Sequence, residues 1–131
     1  MIKQLNFESS GAPIIDSVFV VLDCETTGLS PSENAITEIA AIKISAGQVL
    51  GTFHSLINPE QQLPSRIAKL TGLNNEQLKK CPMIEQVIPS LLEFVGNEIL
   101  VGHNIKFDLG FINASLQRCN YEPLDNRFLD T

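Results

Sequence analysis

Val18-Phe19-Val20-Val21-Leu22-Asp23-Cys24-Glu25-Thr26-Thr27-Gly28-Leu29 is the stretch that decides the fold. Its first five residues are an unbroken apolar run, β-branched at three positions, and the run stops at Asp23. That pattern suits a strand covered on both faces and central in its sheet. Thr26 to Pro31 then supplies turn chemistry. Side chains alternate along a strand with period two, so Asp23 and Glu25 project from one face and Cys24 from the other. Two carboxylates side by side at the end of a buried strand repel each other. A shared proton, a basic neighbour or a metal ion must offset that repulsion. Hard oxygen donors of this kind suit Mg²⁺ or Mn²⁺. Taken alone, an Asp-x-Glu is more simply a strand ending in polar residues, so the neighbouring sequence has to decide.

Working outward, Ile36 to Ser45 and Val49 to Asn58 are β-branched runs separated by Ala46-Gly47-Gln48, which predicts an antiparallel hairpin. After Pro59 the pattern turns helical. Residues 64–70 form a short helix closed by Thr71-Gly72, and residues 74–80 form another that stops near Pro82. Ile84, Val87, Ile88, Leu91, Leu92 and Val95 recur at three and four residues, an amphipathic helix ending at Gly96-Asn97. Ile99-Leu100-Val101 is a short buried strand. Asn104 is placed to cap a helix carrying Phe107, Phe111, Ile112 and Leu116 on one side, and residues 127–130 begin a last strand. Residues 1–15, with Ser9-Ser10-Gly11-Ala12-Pro13, read as a leader or linker, and residues 16–131 as one mixed α/β domain.

Composition narrows the function. The 131 residues are 44% hydrophobic and 18% charged, which is globular. No apolar run approaches the ~18 residues of a membrane span, and the N-terminus lacks the layout of a signal peptide. Cys24, Cys81 and Cys119 are an odd count without CxxC spacing, so neither a disulfide framework nor a zinc site is expected. A reducing cytoplasm, with no membrane partner, fits these features. A net charge of −6 and a pI of about 4.8 argue against the basic patch of a duplex binder. Carboxylates that hold divalent ions can still meet a phosphodiester, because the ions become the largest local charges. The balance favours a metal-using nuclease. There is no GxxxxGK[ST] or GxGxxG, which disfavours a kinase or dinucleotide enzyme.

Further motifs accompany the carboxylate pair: Thr37-Glu38-Ile39-Ala40-Ala41, then Leu70-Thr71-Gly72-Leu73, then residues 100–108 (LVGHNIKFD), then Leu129-Asp130-Thr131. In this order they resemble the DEDD-type 3′–5′ exonucleases, the DnaQ-like family with a ribonuclease-H-like fold, over about residues 16–131. The resemblance implies a mixed five-stranded sheet, three strands antiparallel and two parallel, flanked by helices. It also implies two Mg²⁺ or Mn²⁺ ions at the site, serving in-line hydrolysis of terminal phosphodiesters of single-stranded DNA or RNA. Asp23 would bind both ions, Glu25 the one carrying the nucleophile and Asp108 the second. Thr26, Thr27, Gly28 and Leu29 would line the terminal nucleotide, with backbone amides receiving its 3′ end and Leu29 against the bases. His103, Asn104 and Phe107 complete the substrate side of the second motif. A DNA polymerase or a fused nuclease domain is the implied partner, and proofreading a possible task.

The plainer roles of these residues stand beside the functional ones. His103 before a helix is a hydrogen-bonding structural residue, Asn104 a cap, Phe107 and Phe111 core aromatics, Glu38 a support or a solvated side chain, and Cys24 a small buried apolar residue. One departure from the family pattern matters. Its third motif carries a general-base histidine and a fourth carboxylate, and the only histidines here are His54, in a strand, and His103. The resemblance therefore predicts a C-terminally truncated fold, the N-terminal part of a longer exonuclease domain, with little activity alone. The alternative expectation is a non-catalytic module that binds nucleic-acid ends or a polymerase or repair partner.

Overall fold

A computed structural model describes the backbone at Lys3–Gln4 and residues 17–131 in full. The strands are β1 (Lys3–Gln4), β2 (Val18–Thr26), β3 (Ile36–Ser45), β4 (Gln48–Leu56), β5 (Ile99–Gly102) and β6 (Arg127–Asp130). The helices are α1 (Ser65–Thr71), α2 (Asn75–Lys79), α3 (Ile84–Val95) and α4 (Ile105–Arg118). They form one sheet in the order β1-β6-β5-β2-β3-β4, with β2, β3 and β4 antiparallel and β5 and β6 added in parallel to β2. The five expected strands are all present in the expected mixture. A sixth is added: Lys3–Gln4, in the stretch read as a leader, pairs in parallel with Arg127 and Phe128 at the sheet edge. The expected domain start at residue 16 lies outside the described residues.

β2 is central, as its apolar run predicts, but it is not covered on both faces. Val20, Leu22 and Cys24 are buried with Ile39, Ala41, Leu100 and Phe128 beneath α3 and α4, which contribute Val87, Ile88, Leu91, Val95, Leu109, Phe111, Ile112 and Leu116. The opposite face stays open, with Val21 38% and Ile42 43% exposed. An all-apolar run is silent about which face is covered, because either alternation looks the same. α1 and α2 lie elsewhere, around a small second cluster of Leu63, Leu73 and Leu78.

Two irregularities set the registers. Ala46 (φ 51°) and Gly47 (φ 78°) make the hairpin turn, both in the left-handed region that a two-residue primed turn requires. Two bulges follow from the pairing. Ile44 pairs with Val49 but Lys43 with Gly51, which leaves Leu50 as an extra residue in β4. Glu25 pairs with Glu38 but Thr26 with Ile36, which leaves Thr37 extra in β3. Thr37 is fully buried, and its hydroxyl has no hydrogen-bond partner among the described residues. Bulges of this kind bend a strand and re-aim its side chains.

Candidate active site

β2 and β5 run in parallel and end at the same pole of the sheet. The chain leaves β5 at Gly102 and enters α4 within three residues, so the first turn of α4 lies against the end of β2. Gly102 is required there: a Cβ on it would stand 2.9 Å from the Leu22 carbonyl oxygen and 3.3 Å from Ile105. This close approach carries Asp108 to the carboxylate pair of β2. Asp23 is exposed, Glu25 half-buried, and Asp108 only 4% exposed.

The three carboxylates share one field. Burial, followed by the charges of Asp23 and Glu25, raises Asp108 from 3.8 to about 7, although a hydrogen bond from the Cys24 backbone works the other way. Glu25 is raised by burial and by the charges of Asp23 and Glu38. No lysine, arginine or histidine among the described residues forms an ion pair with any of the three. Among those residues no three His, Cys, Asp or Glu side chains stand as a ready-made ion cage. The fit to a divalent ion therefore rests on donor chemistry, hard oxygens with uncompensated like charge, and not on a preformed geometry. Cys24 points into the core between them, and burial pushes its thiol well above the ordinary value. It is a packed apolar residue and not a nucleophile.

The loop after β2 is tied to the protein itself. The Thr26 hydroxyl donates to the Gly28 carbonyl (2.6 Å), and the Thr27 hydroxyl donates to Gln61 Oε1 while accepting from the Ala35 amide (3.0 Å). The Thr27 amide, expected to receive a nucleotide, donates instead to the Ala35 carbonyl (2.8 Å). The tight neighbour of Gly28 is likewise internal, since a Cβ there would meet the Asn34 amide at 2.5 Å. Leu29 alone reaches outward, 81% exposed. With Arg66, Ile67, Lys69 and Leu70 of α1 it lines an open apolar shelf. Sequence reading did not assign the α1 side chains to the site. Their signal, an exposed leucine near two cations, becomes visible only once α1 stands beside Leu29.

The second motif is arranged differently from expectation. Asn104 occupies the position before α4, but with left-handed backbone (φ 54°) and no capping bond from its side chain. The helix start is met from β6, where Asp130 Oδ1 accepts from the Ile105 amide at 3.3 Å. His103 is exposed and its Nδ1 donates to the Thr131 carbonyl at 3.2 Å. Phe107 is half-buried, 5.0 Å from the Phe111 ring. On the open sheet face a further pair appears: His54 Nε2 donates to Glu38 Oε2 at 2.5 Å.

Comparison with known proteins agrees with this architecture. A DNA polymerase III of the PolC type from Halalkalibacterium halodurans is 38% identical over 125 residues, 95% of this chain and 9% of its own. A bifunctional exonuclease/endonuclease protein of Mycobacterium tuberculosis is 42% identical over 111 residues, 80% of this chain and 17% of its own. This chain thus spans less than a fifth of either relative. Among solved structures, product-bound exonuclease I superposes with a TM-score of 0.76 at 20% identity, over 88% of this chain and 30% of that one. The Escherichia coli exonuclease I complex with a dA16 oligonucleotide gives 0.75 at 20% identity, over 88% and 28%. Both share the ribonuclease-H-like exonuclease fold seen here. Among the described residues no helix is long and apolar enough to cross a membrane. The family model described as exonuclease (RNase T type) matches residues 20–131, and the chain belongs to this family, the DnaQ-like DEDD exonucleases.

Proposed function

We propose that this chain carries the carboxylate half of a metal-dependent 3′–5′ exonuclease site acting on single-stranded DNA, in the setting of a replicative or repair polymerase. The observation that carries the reading is the shared field of Asp23, Glu25 and Asp108 at one pole of an open sheet face. In this reading Asp23 and Glu25 of β2 and Asp108 of α4 hold two Mg²⁺ or Mn²⁺ ions. Those ions supply charge stabilisation at the attacking and leaving oxygens of an in-line displacement. Asp108, raised to about 7 by burial and by its carboxylate neighbours, would ligate a cation only in its ionised form, so binding would be favoured as pH rises. Leu29 and Leu70 offer apolar surface to unstacked bases, and Arg66 and Lys69 offer charge to phosphates on a chain that is otherwise acidic. The internally bonded Thr26 and Thr27 keep that loop fixed beneath the substrate. The DNA setting is supported by the names of the relatives, a DNA polymerase III and an exonuclease crystallised with an oligonucleotide.

A second reading, a non-catalytic module that holds nucleic-acid ends or a partner, is favoured by the lack of a ready-made three-ligand cage among the described residues. One experiment separates the two. The purified chain is incubated with single strands labelled at the 3′ or the 5′ end, with Mn²⁺, Mg²⁺ or EDTA, beside Asp108→Asn. Cation-dependent release of the 3′ label, lost in the variant, supports the exonuclease. End-binding without cleavage in any cation, together with no Asp108-dependent binding of Mn²⁺, supports the module.

A further inference from the structure

The Glu38–His54 pair is not used by the mechanism above, yet the sheet places it beside the site. Asp23, Ala40 and His54 are register partners across β2, β3 and β4, and Glu25, Glu38 and Leu56 form the next row. Residues directly opposite in adjacent strands share a face, so Glu38 stands next to Glu25, and His54 lies on the same open face. Glu38 is a β-strand carboxylate directly across from Glu25. Its charge is already felt there, since it is among the causes that raise Glu25. What distinguishes Glu38 from Glu25 is its partner: the imidazole N–H of His54 claims its Oε2 at 2.5 Å. Both pair members keep solvent contact, with side-chain exposures of 59% for His54 and 28% for Glu38.

We propose that His54 is a positioning residue that withholds Glu38 from the cation site, so that Glu25 ligates with Asp23 and Asp108 and not with its cross-strand neighbour. Two adjacent carboxylates of opposed strands would otherwise make a chelating pair of their own, one strand away from the buried Asp108. The N–H bond from His54 engages one Glu38 oxygen and ties the carboxylate to β4. This inference rests on the proposed cation reading of the site.

The test is Mn²⁺ binding to the full chain, by calorimetry and by the Mn²⁺ paramagnetic resonance signal, in wild type, Asp108→Asn, His54→Ala, Glu38→Gln and the double variant His54→Ala/Glu38→Gln. Urea melts in EDTA establish that each variant is folded. His54→Ala is expected to bind additional Mn²⁺, or to shift apparent affinity by about threefold or more, about 0.7 kcal/mol. The double variant should titrate as Glu38→Gln alone does, because loss of the Glu38 charge beside Glu25 sets that baseline whether or not His54 is present. If His54→Ala titrates as wild type does, or if its altered binding survives Glu38→Gln, the inference is overturned. If wild type binds no Mn²⁺ with an Asp108-dependent component, the cation reading fails first and carries this inference with it.

Discussion

Replacing Asp108 by Asn should make the cation-free protein more stable at alkaline pH, and the size of the effect follows from where the carboxyl sits. Asp108 is 4% exposed, and its value rises from 3.8 to about 7. Between those two values the native chain keeps a proton that the unfolded chain has lost, so stability falls as pH rises through the interval. This is the opposite sign to a salt-bridged aspartate. At about 1.4 kcal/mol per unit the full excursion is about 4 kcal/mol, reduced to about 2 when water and neighbouring dipoles relax around the new charge. Asn is close in volume, keeps a carbonyl oxygen for the bond from the Cys24 backbone, and cannot ionise. The assay is urea unfolding in EDTA between about pH 3 and pH 8.5, so that the acid end lies below the unfolded value, analysed by linear extrapolation. The variant should match wild type at the acid end and exceed it by about 2 to 4 kcal/mol at the alkaline end, or about 4 °C per kcal/mol in melting temperature. Glu25, also raised, is coupled to Asp108 through their charges, so the pH-dependent difference belongs to the pair. A difference independent of pH, or an Asn variant that is weaker at both ends, would refute the reasoning.

Mn²⁺ in excess should stabilise the wild-type chain by about 2.7 kcal/mol at one hundred times its dissociation constant, and Asp23→Ala should abolish that shift in thermal melts. Glu25→Gln should lower any cation-dependent cleavage of a 3′-labelled strand by orders of magnitude while leaving the urea midpoint near wild type, because charge and not volume is lost. Near-normal rates in a folded Glu25→Gln would count against its role. Gly102→Ala should cost about 1 to 3 kcal/mol, since the added Cβ meets the Leu22 carbonyl at 2.9 Å, backbone that cannot rotate away. Comparing its urea midpoint with that of Gly47→Ala, where nothing lies within 4 Å but φ is +78°, separates crowding from backbone strain.

What could be read in the sequence depended on how local its cause was. Asp23 and Glu25 share a face because of period-two alternation, which needs only neighbouring residues, and the hairpin and the helix Ile84–Val95 follow from patterns within a dozen residues. The Asp108 assignment needed the motif resemblance, because nothing local says that the first turn of α4 lies against β2; Gly102 makes that approach possible, and its requirement is a contact with Leu22, eighty positions earlier. Asp130 escaped for the same reason, bonding an amide 25 residues away while Asn104 beside that amide does not cap it. His54 is the sharpest case. Counting back from the Ser45–Gln48 turn without a bulge pairs Ala40 with Phe53, which would put Phe53 on the carboxylate face and His54 among the helices. The single extra residue Leu50 reverses this: Ala40 pairs with His54, and Phe53 turns to the other side to meet Phe94 of α3, ring centroids 5.8 Å apart. A one-residue slip exchanges the two faces of everything beyond it. The apolar demand of Phe53 and the hydrogen bond from His54 to Glu38 are satisfied together only by the bulged register, so the same defect that hides His54 from a pattern reading places it beside the site.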